Sequence, residues 1–228
     1  MITDRIDAIT KISSKYLGTI IPAPKSVKIE ITATCNYNCS FCTKSLNKAS
    51  GAMDRAMYSR VIREMRAAGV EELGVFYIGE SFTCPWVAEA ISEAKTVGFP
   101  YVFLTTNGAA ATPEKVEACM KAGLDSLKFS LNFTDPAQLK EVAQVSGRNW
   151  QLAIDHLKAA RKIRDEKGYA TKIYASSIAF DGAQGDKMRE VVEQITPFVD
   201  QHYWLPLYGM SGAAKAAGMQ PQPGNPGR

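Results

Sequence analysis

The sequence predicts an α/β fold in which a parallel sheet of six strands curls into a partial (β/α)6 barrel. Three observations lead there. Short apolar, β-branched runs alternate with helical stretches of ten or more residues, glycines recur where those helices stop, and six strand-plus-helix units fall short of the eight of a closed barrel. In such TIM-like architectures the loops after the parallel strands converge at the strands' C-terminal ends, so chemistry is expected there.

The elements follow in order. Ile2, Ile6, Ile9, Ile12 and Tyr16 stand three or four residues apart and predict an amphipathic N-terminal helix packed outside the core. After IPAPKS, the alternation Val27-Lys-Ile-Glu-Ile31 predicts strand one, with a cysteine-rich loop behind it. A helix over 54–68 opens at Asp54 and closes at Gly69, the strand LGVFYI runs up to Gly79, and a further helix reaches Gly98. The strand over 101–105 precedes a helix with Thr112 as N-cap, Pro113 at its first position and Gly123 as its stop. A strand over 126–131, a long helix over 150–167 ended by Gly168, the strand TKIYASSIAF, a helix over 186–196 and the strand HYWLPL complete the series. The tail from Gly209 to Arg228 is glycine- and proline-rich without an apolar period and is expected to be a linker or an extended cover. The expected division is a lead-in over 1–24, a core domain over 25–207 and a tail over 208–228 that would lead to a C-terminal domain missing from this chain.

Composition narrows the function. Of 228 residues, 46% are apolar and 22% charged, enough for one domain with its own core. A net charge of +4 from 27 basic and 23 acidic residues, without a long basic run, calls for neither nucleic acid nor an anionic membrane; an anionic cofactor accounts for it. No apolar stretch approaches the roughly 20 residues that span a bilayer, and MITDRIDAITK carries acids where a signal peptide would be apolar, so a cytoplasmic location is expected. With only His156 and His202 available, histidine-based catalysis and histidine-rich metal sites have little raw material.

The chemistry lies in CNYNCSFC. Cys35, Cys39 and Cys42 form a CxxxCxxC pattern directly after strand one. Five cysteines, three of them within eight residues, make a poor disulfide framework and a good soft-metal site, either iron–sulfur or zinc. A structural zinc site closes with four ligands, and no second pair lies nearby; three packed thiols would be out of place among Asn36, Asn38 and Ser40. Three thiolates on a 4Fe-4S cluster leave one iron open.

With Phe41 before the third cysteine, this stretch resembles the CxxxCxΦC hallmark of the radical S-adenosylmethionine (SAM) superfamily, and the order of strands and motifs extends the resemblance over residues 25–207. The resemblance implies that Cys35, Cys39 and Cys42 hold a 4Fe-4S cluster, that SAM chelates the open iron through its amino and carboxylate groups, and that Phe41 lies against the adenine. It also implies that Gly79-Glu80, the remnant of a GGEP motif, receives the SAM ammonium, that Ser130 and Asn132 receive ribose and methionine groups, that Arg148 meets the carboxylate and that Leu207 packs beside adenine. Each has a plainer alternative: core packing for Phe41 and Leu207, a turn glycine with a surface acid, polar residues at a strand end, a solvated arginine. Thr105-Thr106-Asn107-Gly108 ends strand three at the same mouth, a turn signal first. Cys84 is expected at the rim, as hydrogen-atom donor, substrate contact or packed thiol, and Cys119 in the core.

The expected function is reductive cleavage of SAM to a 5′-deoxyadenosyl radical that abstracts hydrogen from a peptide, sugar or other small substrate, with electrons from a flavodoxin- or ferredoxin-type donor. The alternative is an iron–sulfur electron-transfer or cluster-binding protein on the same fold that has lost SAM chemistry; a zinc-bound interaction module would need a fourth ligand. Within the superfamily the chain looks most like the N-terminal part of SPASM-domain enzymes, and departs from them in having no cysteine after Cys119.

Overall fold

A computed structural model describes residues 1–10, 14–16, 18–46 and 49–220. Six parallel strands, β1 (Ser26–Lys28), β2 (Glu72–Gly74), β3 (Tyr101–Thr106), β4 (Ser126–Ser130), β5 (Lys172–Ile178) and β6 (Gln201–Leu205), stand in sequential order, each paired with the next. The helices are α1 (Ile2–Thr10), α2 (Arg55–Ala67), α3 (Val87–Val97), α4 (Pro113–Lys121), α5 (Pro136–Ala143), α6 (Arg148–Lys167), α7 (Gly182–Ile195) and the single turn α8 (Ala213–Ala216). This is the partial barrel that the sequence predicts, with β1 and β6 as its edges. Among the described residues, no helix is long and apolar enough to cross a membrane.

The pleat explains where the core lies. Along β3 and β4, Val102, Leu104, Leu127 and Phe129 are buried toward the helices, while Phe103, Thr105, Lys128 and Ser130 line the inner face and are half-buried. Each fully buried Leu or Phe contributes roughly 2 kcal/mol of transfer free energy, so the sheet–helix layer carries the fold and the lumen is left for other uses. Asp54 caps α2 by accepting from the Met57 amide at 2.8 Å.

The sequence misses α5, although Asp135-Pro136 is an N-cap followed by proline at N1, with Asp135 accepting from the Gln138 amide at 2.8 Å. Strands one and two are shorter than the apolar runs suggest. Beyond Lys28 and Gly74 the ladder continues only through Ile29 N–H to Gly74 O and Val75 N–H to Phe103 O, because Glu30 then takes the amides of Ile78 and Gly79. A carboxylate replaces the neighbouring strand and bends the chain toward the mouth.

α1 closes the opposite end. The Ile2 amide donates to Gln201 Oε1 at 3.0 Å, Gln201 donates back to Thr3 Oγ1 at 2.9 Å, and Arg5 pairs with Glu72 at 2.5 Å while its guanidinium lies 3.5 Å over the Tyr101 ring. Gln201, Glu72 and Tyr101 all begin strands, so the helix seals the sheet's N-terminal end. Of the residues expected to extend this helix, Ile12 lies outside the described residues and Tyr16 sits in a separate turn over Ser14–Tyr16. At the other terminus Ala213 and Ala214 are buried, and 221–228 lie outside the described residues.

His202 gives β6 a pH signature. Its Nε2 sits 3.1 Å from Ser177 Oγ and its ring meets Trp204 edge-on at 4.9 Å; burial lowers its pKa from 6.5 to about 4. The unfolded chain therefore binds a proton over that window that the folded chain refuses, and stability falls as pH drops from 6.5 to about 4. Denaturant midpoints across that window should show a loss in the parent chain that shrinks in His202→Asn.

Candidate functional site

The mouth of the sheet is organised around the chain leaving β1. Residues 29–34 leave the ladder and change partners: Ala33 N–H donates to Gly51 O, Met53 N–H to Ile31 O, and Glu80 N–H to Thr34 O, each at 2.9 Å. The cysteine loop begins at once and docks on the C-terminal end of α5. Asn38 and Ser40 amides donate to Ala143 O at 3.0 Å and Val142 O at 2.9 Å, and Asn38 Nδ2 donates to Gln144 Oε1 at 2.7 Å, with Gln144 left-handed at φ 55°. The last carbonyls of a helix lack internal partners, and here the loop's amides take them. Tyr37, Phe133, Leu139 and Ala143 form a small apolar cluster beneath, against which Cys35, Cys39 and Phe41 pack.

Cys35 and Cys39 share one electrostatic environment. Burial pushes Cys35 and Cys39 up, and neighbouring thiols add to both shifts; the Tyr37 amide, donating to Cys35 Sγ at 3.5 Å, opposes the first. The Lys44 amide donates likewise to Cys42 Sγ at 3.5 Å. Such N–H donors stabilise thiolate charge when a metal takes the proton's place. Among the described residues no three His, Cys, Asp or Glu side chains converge as a single ion would require. A cubane, which takes one thiolate per iron, makes no such demand.

Gly79 and Glu80 stand directly against this loop. A Cβ at Gly79 would lie 2.0 Å from Thr32 O, so only glycine lets the two backbones meet. The Glu80 side chain is buried at 3% exposure, with Oε1 accepting from Thr106 Oγ1 at 2.8 Å and Phe82 N–H at 3.1 Å, and Oε2 from Asn107 N–H at 2.7 Å. Burial raises its pKa while these donors and the Lys115 charge pull the other way. Asn107 Nδ2 donates to Asn36 Oδ1 at 2.7 Å, completing a path from Glu80 through the end of β3 into the cysteine loop.

The structure brings several of the sequence-predicted residues together. Ser130 and Asn132 line a small niche with Tyr37 and Asn107; Asn132 also lines a cavity of ≈ 460 Å³ shared with Phe41, Leu207, Gln138 and Met219. Phe41 stands 6.3 Å from the Phe133 ring, and Leu207 lies two residues beyond the end of β6. The Asn132 Oδ1 atom is buried without a hydrogen-bond partner. Two residues are not brought in. Arg148 is exposed at the first position of α6, outside the lining of either cavity, and Cys84 is buried at 2% exposure in the main core rather than at the rim, because the turn over Ser81–Thr83 carries the chain inward.

Sequence reasoning missed Glu30, Asn36 and the dock on α5. Glu30 is legible only as the polar member of an alternating strand, and its partners lie nearly fifty residues away. Thr106 and Asn107 read as a turn signal and Glu80 as a site residue, but that the first two donate to the third is a tertiary contact the sequence does not carry.

The residues fit the group that the cysteine pattern implies: three soft ligands on one short loop, two amides aimed at sulfur, an unpartnered buried acceptor and an aromatic wall beside an open cavity. The family model "Radical SAM superfamily" matches residues 29–177. A PqqA peptide cyclase of Methylorubrum populi is 30% identical over 129 residues, 54% of this chain and 32% of the relative; that of Streptomyces rochei is 26% identical over 125 residues, 54% and 34%. The chain thus aligns with about a third of the length of these relatives. Among solved structures, Streptococcus suis SuiB bound to precursor peptide SuiA superposes with TM-score 0.71 at 17% identity over 89% of this chain and 43% of SuiB; SuiB bound to S-adenosylmethionine gives 0.66 at 18% over 83% and 42%.

Proposed function

The chain belongs to the radical SAM superfamily, and we propose that it is the core of an enzyme that cleaves SAM reductively and acts on a peptide. A fold alone does not assign chemistry. The observation that carries the reading is the convergence of Phe41, Asn132 and Leu207 on one cavity beside the loop of Cys35, Cys39 and Cys42, with the Asn132 acceptor left open. When bound, a 4Fe-4S cluster supplies the electron that splits SAM into methionine and a 5′-deoxyadenosyl radical, itself reloaded by a low-potential flavodoxin- or ferredoxin-type donor.

The chain's own residues do the rest. Cys35, Cys39 and Cys42 hold the cluster, and the Tyr37 and Lys44 amides stabilise two of the thiolates. Phe41 offers a face to the adenine and Leu207 an apolar edge. Asn132 and Ser130 accept from ribose or ammonium donors, Gly79 allows close backbone approach, and Glu80, its oxygens engaged by Thr106, Phe82 and Asn107, holds the end of β3 in place beside the cysteine loop. The relatives support a peptide substrate: two are named as peptide cyclases and one neighbour is bound to its precursor peptide.

Anaerobic reconstitution with iron and sulfide, reduction, and incubation with SAM tests this. The expected result is a 4Fe-4S signal and 5′-deoxyadenosine. A cluster without SAM cleavage would overturn the enzyme reading in favour of an electron-transfer or cluster-binding protein.

A further inference from the structure

The inner face of the sheet holds a cavity of ≈ 440 Å³ distinct from the one beside Phe41. Its floor is α1, through Ile2, Thr3 and Ile6; its walls include Phe76, Phe103 and Tyr203; and two lysines, Lys28 on β1 and Lys128 on β4, project into it. Such a volume takes one or two side chains of a peptide.

The charges here are unbalanced. Lys28 lies 5.5 Å from the Phe76 ring and Lys128 5.7 Å from the Tyr203 ring, and neither forms an ion pair among the described residues. Among the described residues no aspartate or glutamate lines the cavity, and two acids on or just beyond the adjoining strands are committed elsewhere: Glu72 to Arg5, and Glu30 to the amides of Ile78 and Gly79. Two ammonium groups thus share a cavity with aromatic walls and no counter-charge. Burial, with the Lys28 charge adding a smaller share, lowers the Lys128 pKa to about 8. An entering anion would relieve their mutual repulsion and exchange its hydration for two charge-assisted bonds.

The geometry also sets the depth. Ser126, Lys128 and Ser130 alternate along β4 on the inner face, so Lys128 lies one pleat, roughly 7 Å, below Ser130. A group held by Lys128 would therefore sit beneath the mouth, with its neighbouring atoms nearer the site of radical formation.

We propose that Lys28 and Lys128 form a carboxylate-binding pair in the barrel lumen that selects an acidic side chain of the peptide substrate, with Phe76, Phe103 and Tyr203 packing its methylene stem. This rests on the reading of the chain as a peptide-modifying core.

The test uses the full chain with its cluster reconstituted, and two blocked, fluorescein-labelled pentapeptides that differ only in a central glutamate or glutamine. Dissociation constants come from fluorescence anisotropy. Accessibility of each lysine comes from acetic anhydride labelling followed by mass spectrometry. The glutamate peptide should bind about tenfold tighter than its glutamine counterpart, and at ten times its Kd should slow labelling of Lys28 and Lys128 about tenfold while other lysines are unaffected. Lys28→Met and Lys128→Met should each erase the glutamate preference; if Lys128→Met fails to fold, Lys28→Met and the labelling of the unaltered chain decide. Equal binding of the two peptides, or protection of neither lysine, overturns the proposal. Release of 5′-deoxyadenosine from SAM, read in parallel without peptide, tells failure of this pair apart from failure of the SAM reading.

Discussion

Cys39→Ala should abolish both the 4Fe-4S absorption and 5′-deoxyadenosine release after reconstitution, a loss of at least about a thousandfold in SAM cleavage. A three-cysteine site has no spare ligand. Cys39 packs against the Tyr37 and Phe133 cluster and its carbonyl accepts from the Cys42 amide at 3.0 Å, so it anchors the turn that presents the other two sulfurs. Ala fits where a half-buried thiol sat, and thermal stability of the metal-free chain should change by no more than about 1 kcal/mol. Burial, with the neighbouring Cys42 and Cys35 adding, raises the Cys39 pKa, so the metal-free thiol is neutral and its removal deletes no charge. The measurement pairs iron and sulfide content with near-UV circular dichroism. A variant that keeps a full complement of four irons would remove Cys39 from the ligand set, whereas a variant that loses both cluster and fold would mark it as a packing thiol.

The contrast between what sequence shows and hides follows the range of the interactions involved. CxxxCxxC and the glycines at 69, 98 and 168 act within a few residues of themselves, and all were legible: the last three take φ of 104°, 98° and 68° where helices end. Asp135-Pro136 carries the same kind of local signal for α5, but an eight-residue helix is too short for its apolar period to stand out. Glu30 could not be read this way. Its role depends on two amides nearly fifty residues on, and an alternating strand fits Val27-Lys-Ile-Glu-Ile31 equally well without it. The lumen lysines were hidden for a related reason, since Lys28 and Lys128 are a hundred residues apart and become neighbours only when β1 and β4 face each other across the curled sheet. Arg148 shows the converse: its place in the order of motifs was suggestive, while its position at an exposed helix start depends on a dock that order alone does not specify.

Glu80→Ala should destabilise the metal-free chain by about 2–4 kcal/mol, because three donors lose their acceptor at once. The Thr106 hydroxyl and the Phe82 and Asn107 amides all turn into a pocket where the carboxylate is 3% exposed, and water has little access to replace it. For a chain of this size that is a fall in Tm of roughly 5–15 °C. Glu80→Gln should lose less: its carbonyl can still accept from Thr106 and Phe82, while its amide faces the Asn107 N–H donor to donor. The pH dependence separates the two contributions. Burial raises the Glu80 pKa above 4.5, so above that pH the unfolded chain releases a proton that the folded chain retains, and this group's contribution to stability declines as pH rises from 4.5 through its folded value. Glu80→Gln has no such proton, and its stability relative to the parent should improve over that interval. Because Asn107 also holds Asn36 in the cysteine loop, both variants should lose bound iron faster than the parent under a chelator. An unchanged Tm in Glu80→Ala would mean that the carboxylate is free of the scaffold and available, undivided, to a ligand.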